Sequence, residues 1–119
     1  MEKLLIIATH AEDNPEKATL PFVVAVTALA SEMQPVVALQ SMGVYLAKKG
    51  YAKMVHESSF PPVDELIDSY LSSGGKLLVC SPCMKKRGLE PSDLIEGAVI
   101  VNAPTLVKEI GEAKAVLTY

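Results

Sequence analysis

The only two cysteines of this 119-residue chain stand three apart, in Cys80-Ser81-Pro82-Cys83. The apolar run Lys76-Leu77-Leu78-Val79 leads into them, and Met84-Lys85-Lys86-Arg87-Gly88 follows. This order puts Cys80 at the end of a strand and Cys83 in the first turn of the next helix. A helix start offers unpaired backbone N–H groups and the positive end of the peptide dipoles. With Lys85, Lys86 and Arg87 close by, such a setting lowers a cysteine pKa from about 8.5 into a range of roughly 3.5–7.5. The thiolate is the form that attacks sulfur or binds metal, so Cys80 is expected to be reactive.

The plain alternative is that both cysteines pack as small apolar side chains. Zinc needs about four ligands. One Cys-x-x-Cys supplies two, and neither His10 nor His56 lies near it in sequence. That argues against a metal site within one chain and leaves open one shared between subunits. A structural disulfide would close a very short loop and constrain the unfolded chain little. Redox or sulfur-transfer chemistry suits the pair better.

The elements that must position the cysteines follow from the apolar pattern. Leu4–Ala8, Val36–Leu39, Leu77–Val79, Ala98–Val101 and Ala115–Leu117 are unalternated apolar runs, the mark of strands covered on both faces. Helical patterns separate them. The segment from about Pro15 to Glu32 is apolar nearly all round, with Pro21 as a kink or as its true start. Gly43–Lys49 reads as a short helix. Val63, Leu66, Ile67, Tyr70 and Leu71 form an amphipathic stripe, opened by Pro61-Pro62 and closed by Gly74-Gly75. Leu106, Val107 and Ile110 mark a last helix, capped by Asn102 or Thr105. Strict alternation implies one domain over 1–119: a three-layer α/β/α sandwich around a five-stranded, mainly parallel sheet.

Ligands of such sheets bind beyond the carboxyl ends of the strands, where the loops Thr9–Asn14 and Gln40–Gly43 and the Cys80 loop should gather. His10 ends the first strand on that edge and is a candidate base or donor for Cys80, against the alternative of an ordinary loop histidine. Arg87 is a candidate structural or anion-binding group. Lys85 and Lys86 read as solvent-facing cations able to steer an acidic carrier. Glu12, Asp13 and Glu16 read as a solvated acidic cluster at a helix start.

Composition narrows the partners. A net charge of −3 and scarce aromatics without tryptophan argue against nucleic acid and membrane surfaces. The N-terminal apolar run is too short for a signal peptide and meets His10, Glu12 and Asp13 at once. No run approaches the roughly 18 apolar residues of a membrane helix. The expectation is a cytoplasmic protein with reduced thiols. A mean hydropathy of +0.28 is high for a short chain and points to a subunit interface, with Tyr45–Tyr51 and Ser59–Pro62 as candidate contact regions. With no Walker loop or GxGxxG, no cofactor is expected.

Leu78-Val79-Cys80-Ser81-Pro82-Cys83-Met84-Lys85-Lys86-Arg87-Gly88-Leu89 resembles the cysteine segment of the DsrE/DsrF-like family, which includes TusD-type sulfur-relay subunits and YchN-like proteins. Ser41-Met42-Gly43-Val44, Asp93-Leu94-Ile95-Glu96-Gly97 and Ala113-Lys114-Ala115-Val116-Leu117 fit the same order. The resemblance spans essentially the whole chain. It implies homotrimers or hexamers, and a cysteine that carries sulfur as a persulfide between donor and acceptor proteins. By its distance to Arg87-Gly88, Cys80 matches the carrier cysteine of TusD-type subunits. Cys83 has no counterpart there but resembles YchN-like members.

Three readings stand: a sulfur relay acting as sulfurtransferase or sulfur carrier; a thiol–disulfide oxidoreductase cycling the pair; and an oligomeric assembly module with quiet cysteines. In the first, Cys80 receives the sulfur, and Cys83 resolves or shares it.

Overall fold

Apolar runs that alternate with helices build a parallel sheet because each crossover helix returns the chain to the same edge. The computed structural model describes residues 1–119 and contains five such strands. They are β1 (Lys3–Ala8), β2 (Gln34–Leu39), β3 (Lys76–Cys80), β4 (Ala98–Val101) and β5 (Ala115–Thr118). Between them run α1 (Pro15–Ala30), α2 (Val63–Ser72), α3 (Ser81–Lys86) and α4 (Ala103–Glu112). The strand order is β4-β3-β2-β1-β5, and every neighbouring pair is parallel. The fold is the expected three-layer α/β/α sandwich.

Leu4, Ile6, Val37, Leu39, Leu77 and Val79 face one side of the sheet, where they join Phe22 of α1 and Ile67 and Tyr70 of α2 in the main core. Phe22 and Tyr70 meet edge to face, 6.0 Å between ring centres. The Tyr70 hydroxyl donates to the carbonyls of Pro35 and Lys76, which ties α2 to the first residues of β2 and β3. A side chain at position 75 would run into that ring, so Gly75 is required for the close approach. The other side of the sheet is thinner: Leu5, Val36, Ala38 and Leu78 pack with Leu106 of α4 and Ala113.

Helix boundaries follow the capping residues. Asn14 Oδ1 accepts from the Lys17 amide at 3.1 Å, and Pro15 fills the first turn, where its missing N–H costs nothing. The helix therefore starts at Pro15, and Pro21 lies inside it without ending it. α2 begins after Pro61-Pro62, and Gly74 behind its end takes a φ of +89°. The helix expected over Gly43–Lys49 is instead a 3₁₀ segment over Ser41–Ala47. Gly43 and Val44 give this short stretch little α propensity, and 3₁₀ turns suit short connectors. A Cβ on Gly43 would collide with the Ala8 carbonyl, so the glycine lets this segment sit on the end of β1.

The strands were expected to be covered on both faces, and for β4 and β5 this is not so. They are the two edges of the sheet, and α4 is the only helix over the thinner side. Val99 and Val116 stay exposed there, as do Val107 and Ile110 on the outside of α4. These four are among the exposed large apolar side chains of the chain. Tyr45 and Tyr51 stack on each other at 5.0 Å.

One polar device anchors α4. Glu109, 4% exposed at its side chain, lies 2.9 Å from Lys76 Nζ and 3.3 Å from Lys3 Nζ. Burial works against its charge, but the two lysines outweigh it and hold the carboxyl below the usual carboxylate range. Its stabilising contribution is therefore complete above the unfolded value near 4.5 and is lost as pH falls through the lower folded-state value. Glu109→Ala should cost about 1 kcal/mol, because Lys76 loses its partner while Lys3 keeps Glu112 at 2.6 Å. Urea unfolding of Glu109→Gln across pH should show a weaker acid dependence than the native chain. An unchanged acid profile would remove this account of the anchor.

Candidate functional site

The site is built where β3 ends. Cys80 is both its last residue and the residue preceding the first turn of α3. Pro82 fits that first turn because the N–H it lacks would have no partner there. The far end of α3 is closed by Gly88 at φ +68°. The Leu89 amide donates to the Met84 carbonyl and the Gly88 amide to the Lys85 carbonyl, the paired closure that a left-handed residue behind a helix permits. Met84 and Leu89 are both buried beside it. Arg87 Nη1 donates to the Cys83 carbonyl at 3.1 Å. The run from Cys80 to Leu89 is thus a self-contained frame that holds two cysteines at the carboxyl edge of the sheet.

The two thiols, both free and half-buried, line different cavities. Cys80 borders an apolar pocket of about 100 Å³ with Ala38, Leu78, Val101 and Leu106. Cys83 borders an open cleft of about 490 Å³ with Thr9, Gln40, Ser41, Lys86 and Arg87. Pro82 and Gln40 belong to both linings and so lie between the two. The cleft floor includes Ser41 at φ +52°, an unusual backbone for a non-glycine residue.

The expectation of a lowered Cys80 pKa is not met. Burial pushes this thiol up, and the neighbouring Cys83 thiol adds to the rise; the Cys83 amide and the Arg87 charge favour the anion without prevailing. The amide falls short of a formed capping hydrogen bond. Desolvation by the apolar pocket, invisible along the sequence, is the effect that wins. Burial thus favours the thiol over the thiolate at Cys80. Its alkylation should be slow at neutral pH and rise at pH values above those of an ordinary cysteine, as followed by peptide mass mapping after iodoacetamide. Full reactivity at pH 7 would contradict the buried setting.

His10 lies elsewhere on the edge. β1 and β3 flank β2, which separates them by about 10 Å, and His10 borders neither cavity. Its Nδ1 donates to Asp13 Oδ2 at 2.6 Å, and the Ala11 amide donates to Asp13 Oδ1 at 2.8 Å. Burial opposes the Asp13 charge, but the Ala11 amide and His10 hold its carboxyl below the usual range. Glu12 accepts from the Tyr51 hydroxyl at 3.3 Å. The acidic loop is thus partly structural rather than simply solvated. Thr9, Gln40 and Ser41 come from the two loops, Thr9–Asn14 and Gln40–Gly43, that were expected to gather with the Cys80 loop at this edge. No group of three or more His, Cys, Asp or Glu side chains is placed to hold a metal ion.

The site is a pair of free thiols at the carboxyl end of β3 in a parallel α/β/α sandwich. The chain belongs to the DsrE/DsrF-like family, whose model matches residues 2–119. It is 34% identical over 112 residues to the uncharacterized protein MJ0760 of Methanocaldococcus jannaschii, covering 94% of this chain and 41% of that protein's length. It is also 34% identical to MJ0989 of the same organism, over 98% of this chain and 99% of the relative. Among solved structures, the fold is similar to that of the ychN protein from E. coli, with a TM-score of 0.85 at 21% identity over the full length of both chains. It is similar also to MTH1491 from Methanobacterium thermoautotrophicum, a protein of unknown function, with a TM-score of 0.80 at 17% identity over both full chains. No helix is long and apolar enough to cross a membrane.

Proposed function

We propose that this chain is a sulfur-relay protein that carries sulfur as a cysteine persulfide between donor and acceptor proteins, with a sulfurtransferase-type exchange at Cys80 and Cys83. The observation that carries the reading is the pocket of about 100 Å³ beside Cys80. It is apolar and has room for little beyond a sulfur atom or a few waters, the latter occupying about 30 Å³ each in the liquid. A persulfide held there is shielded from water and from stray thiols, which is what a carrier requires. A thiol–disulfide oxidoreductase does better with a low-pKa, accessible thiol, and Cys80 is neither. Arg87 fixes the Cys83 backbone and supplies charge at the cleft. His10, clamped by Asp13, shapes the adjoining rim next to Thr9.

The working unit is one domain over 1–119 in a cytoplasmic homotrimer or hexamer, without a resident cofactor. The exposed Val99, Val107, Ile110 and Val116 on the thinner side of the sheet are the surface that a second copy would cover. The test is transfer. Protein loaded with labelled persulfide sulfur and freed of donor should hand the label to a cysteine-bearing acceptor protein, leaving both thiols free. Label that never leaves the protein, or leaves only as sulfide with an oxidised cysteine pair, would refute the relay.

A further inference from the structure

We propose that Cys83, not Cys80, is the thiol that meets an incoming sulfur donor, that the donor is anionic, and that its sulfur then moves to Cys80 for storage. This rests on the relay reading and assigns its order of events and its donor class. The two cavities carry it. The Cys80 pocket, about 100 Å³, admits a sulfane sulfur but not the body of a donor. The Cys83 cleft, about 490 Å³, is broad and open, so the body of a donor can approach the thiol there. Its lining contains Lys86 and Arg87 and no carboxylate, so its charge opposes the net −3 of the chain. Arg87 uses one nitrogen on the Cys83 carbonyl, which fixes the guanidinium in the lining of the same cleft with other N–H groups left to bind an anion. A donor carrying carboxylates is thereby steered to Cys83 and cannot follow its sulfur past Pro82.

The chemistry needs no oxidant. The Cys83 thiolate attacks the outer sulfur of a donor persulfide, R–S–SH. A new S–S bond forms at Cys83, the donor's S–S bond breaks, and the donor thiolate leaves with the electron pair. Cys80 then gives its proton to the solvent and attacks the same outer sulfur. The bond to Cys83 breaks, Cys83 leaves as a thiolate, and the sulfur rests on Cys80. The sulfane sulfur keeps its oxidation state in both steps.

The experiment uses two small donors of opposite charge, glutathione persulfide and cysteamine persulfide. Reactions are stopped within seconds by alkylation, and the sulfur is located by peptide fragmentation. In the native protein it should be found first on Cys83 and later on Cys80. Cys80→Ser should acquire sulfur at the native rate, on Cys83, whereas Cys83→Ser should be slow with both donors. Lys86→Glu should lower the rate with glutathione persulfide by about tenfold, as expected for loss of electrostatic steering, and spare cysteamine persulfide. Lys86→Gln, which keeps the stem of the side chain, should fall between. Sulfur found first on Cys80, with Cys83→Ser loading at the native rate, would overturn this order while leaving the relay intact. Equal sensitivity of both donors to Lys86→Glu would overturn the donor class. A native protein that gains sulfur from neither donor would overturn the relay with it.

Discussion

Cys80→Ser should lose retained sulfur almost completely. A serine hydroxyl cannot form a persulfide, and the only other thiol faces an open cleft of about 490 Å³. Sulfur received at Cys83 would have no sheltered acceptor, and added dithiothreitol would strip it as sulfide. The native protein, loaded and then challenged with the same thiol, should keep its sulfur far longer, because the pocket beside Cys80 is too small to admit the reductant along with the cargo. The measurement is sulfide release after thiol challenge, native against Cys80→Ser. Equal release rates would mean that the pocket shelters nothing. The predicted difference belongs to burial rather than to acidity, since burial is what raises the Cys80 pKa.

The second large effect is expected in assembly. Val107 is 64% exposed and Ile110 42%, one turn apart on α4, while Val99 and Val116 lie exposed on the strands at either edge. Helix neighbours at i and i+3 share a face, so the pair forms one apolar stripe. Replacing both Val107 and Ile110 with glutamate should convert an oligomer into a monomer. Burying charge at the centre of an interface costs about 2 kcal/mol or more per site, roughly thirtyfold in affinity each. Light scattering at micromolar concentration reads the mass, and circular dichroism checks that the fold persists. Both side chains already meet water in the single chain, so the fold itself should tolerate the change. A native protein that is monomeric, or a double variant that assembles normally, would contradict this surface.

Much of the frame was legible because local residues specify it. Pro61-Pro62 and Gly74-Gly75 bracket α2 by their backbone restrictions, and Gly88 behind Lys85-Lys86-Arg87 closes α3. The five apolar runs became the five strands, and Cys80 and Cys83 fell where strand gives way to helix. What was not legible depends on contacts distant in sequence. The Cys80 acidity is decided by the apolar lining that Ala38, Val101 and Leu106 bring to it, not by the adjacent lysines. His10 was placed on the right edge, but strand order sets it two strands from Cys80 and leaves Asp13 as its partner. The exposure of β4 and β5 was hidden for a similar reason: the apolar run of an edge strand reads the same along the sequence as that of a central one. The Pro15 start of α1 was obscured by Pro21, since a proline inside a helix and a proline opening one look alike without the Asn14 cap in view.

On the proposed relay, this cysteine edge takes up and holds a sulfane sulfur. Its most direct test is an intact mass spectrum of the purified, reduced chain after incubation with a persulfide donor and removal of that donor. A gain of about 32 Da per chain, the mass of one sulfur as a persulfide, that is removed by cyanide and absent from Cys80→Ser after thiol challenge is the result predicted. An unchanged mass, or a loss of about 2 Da as Cys80 and Cys83 pair in a disulfide, would contradict it.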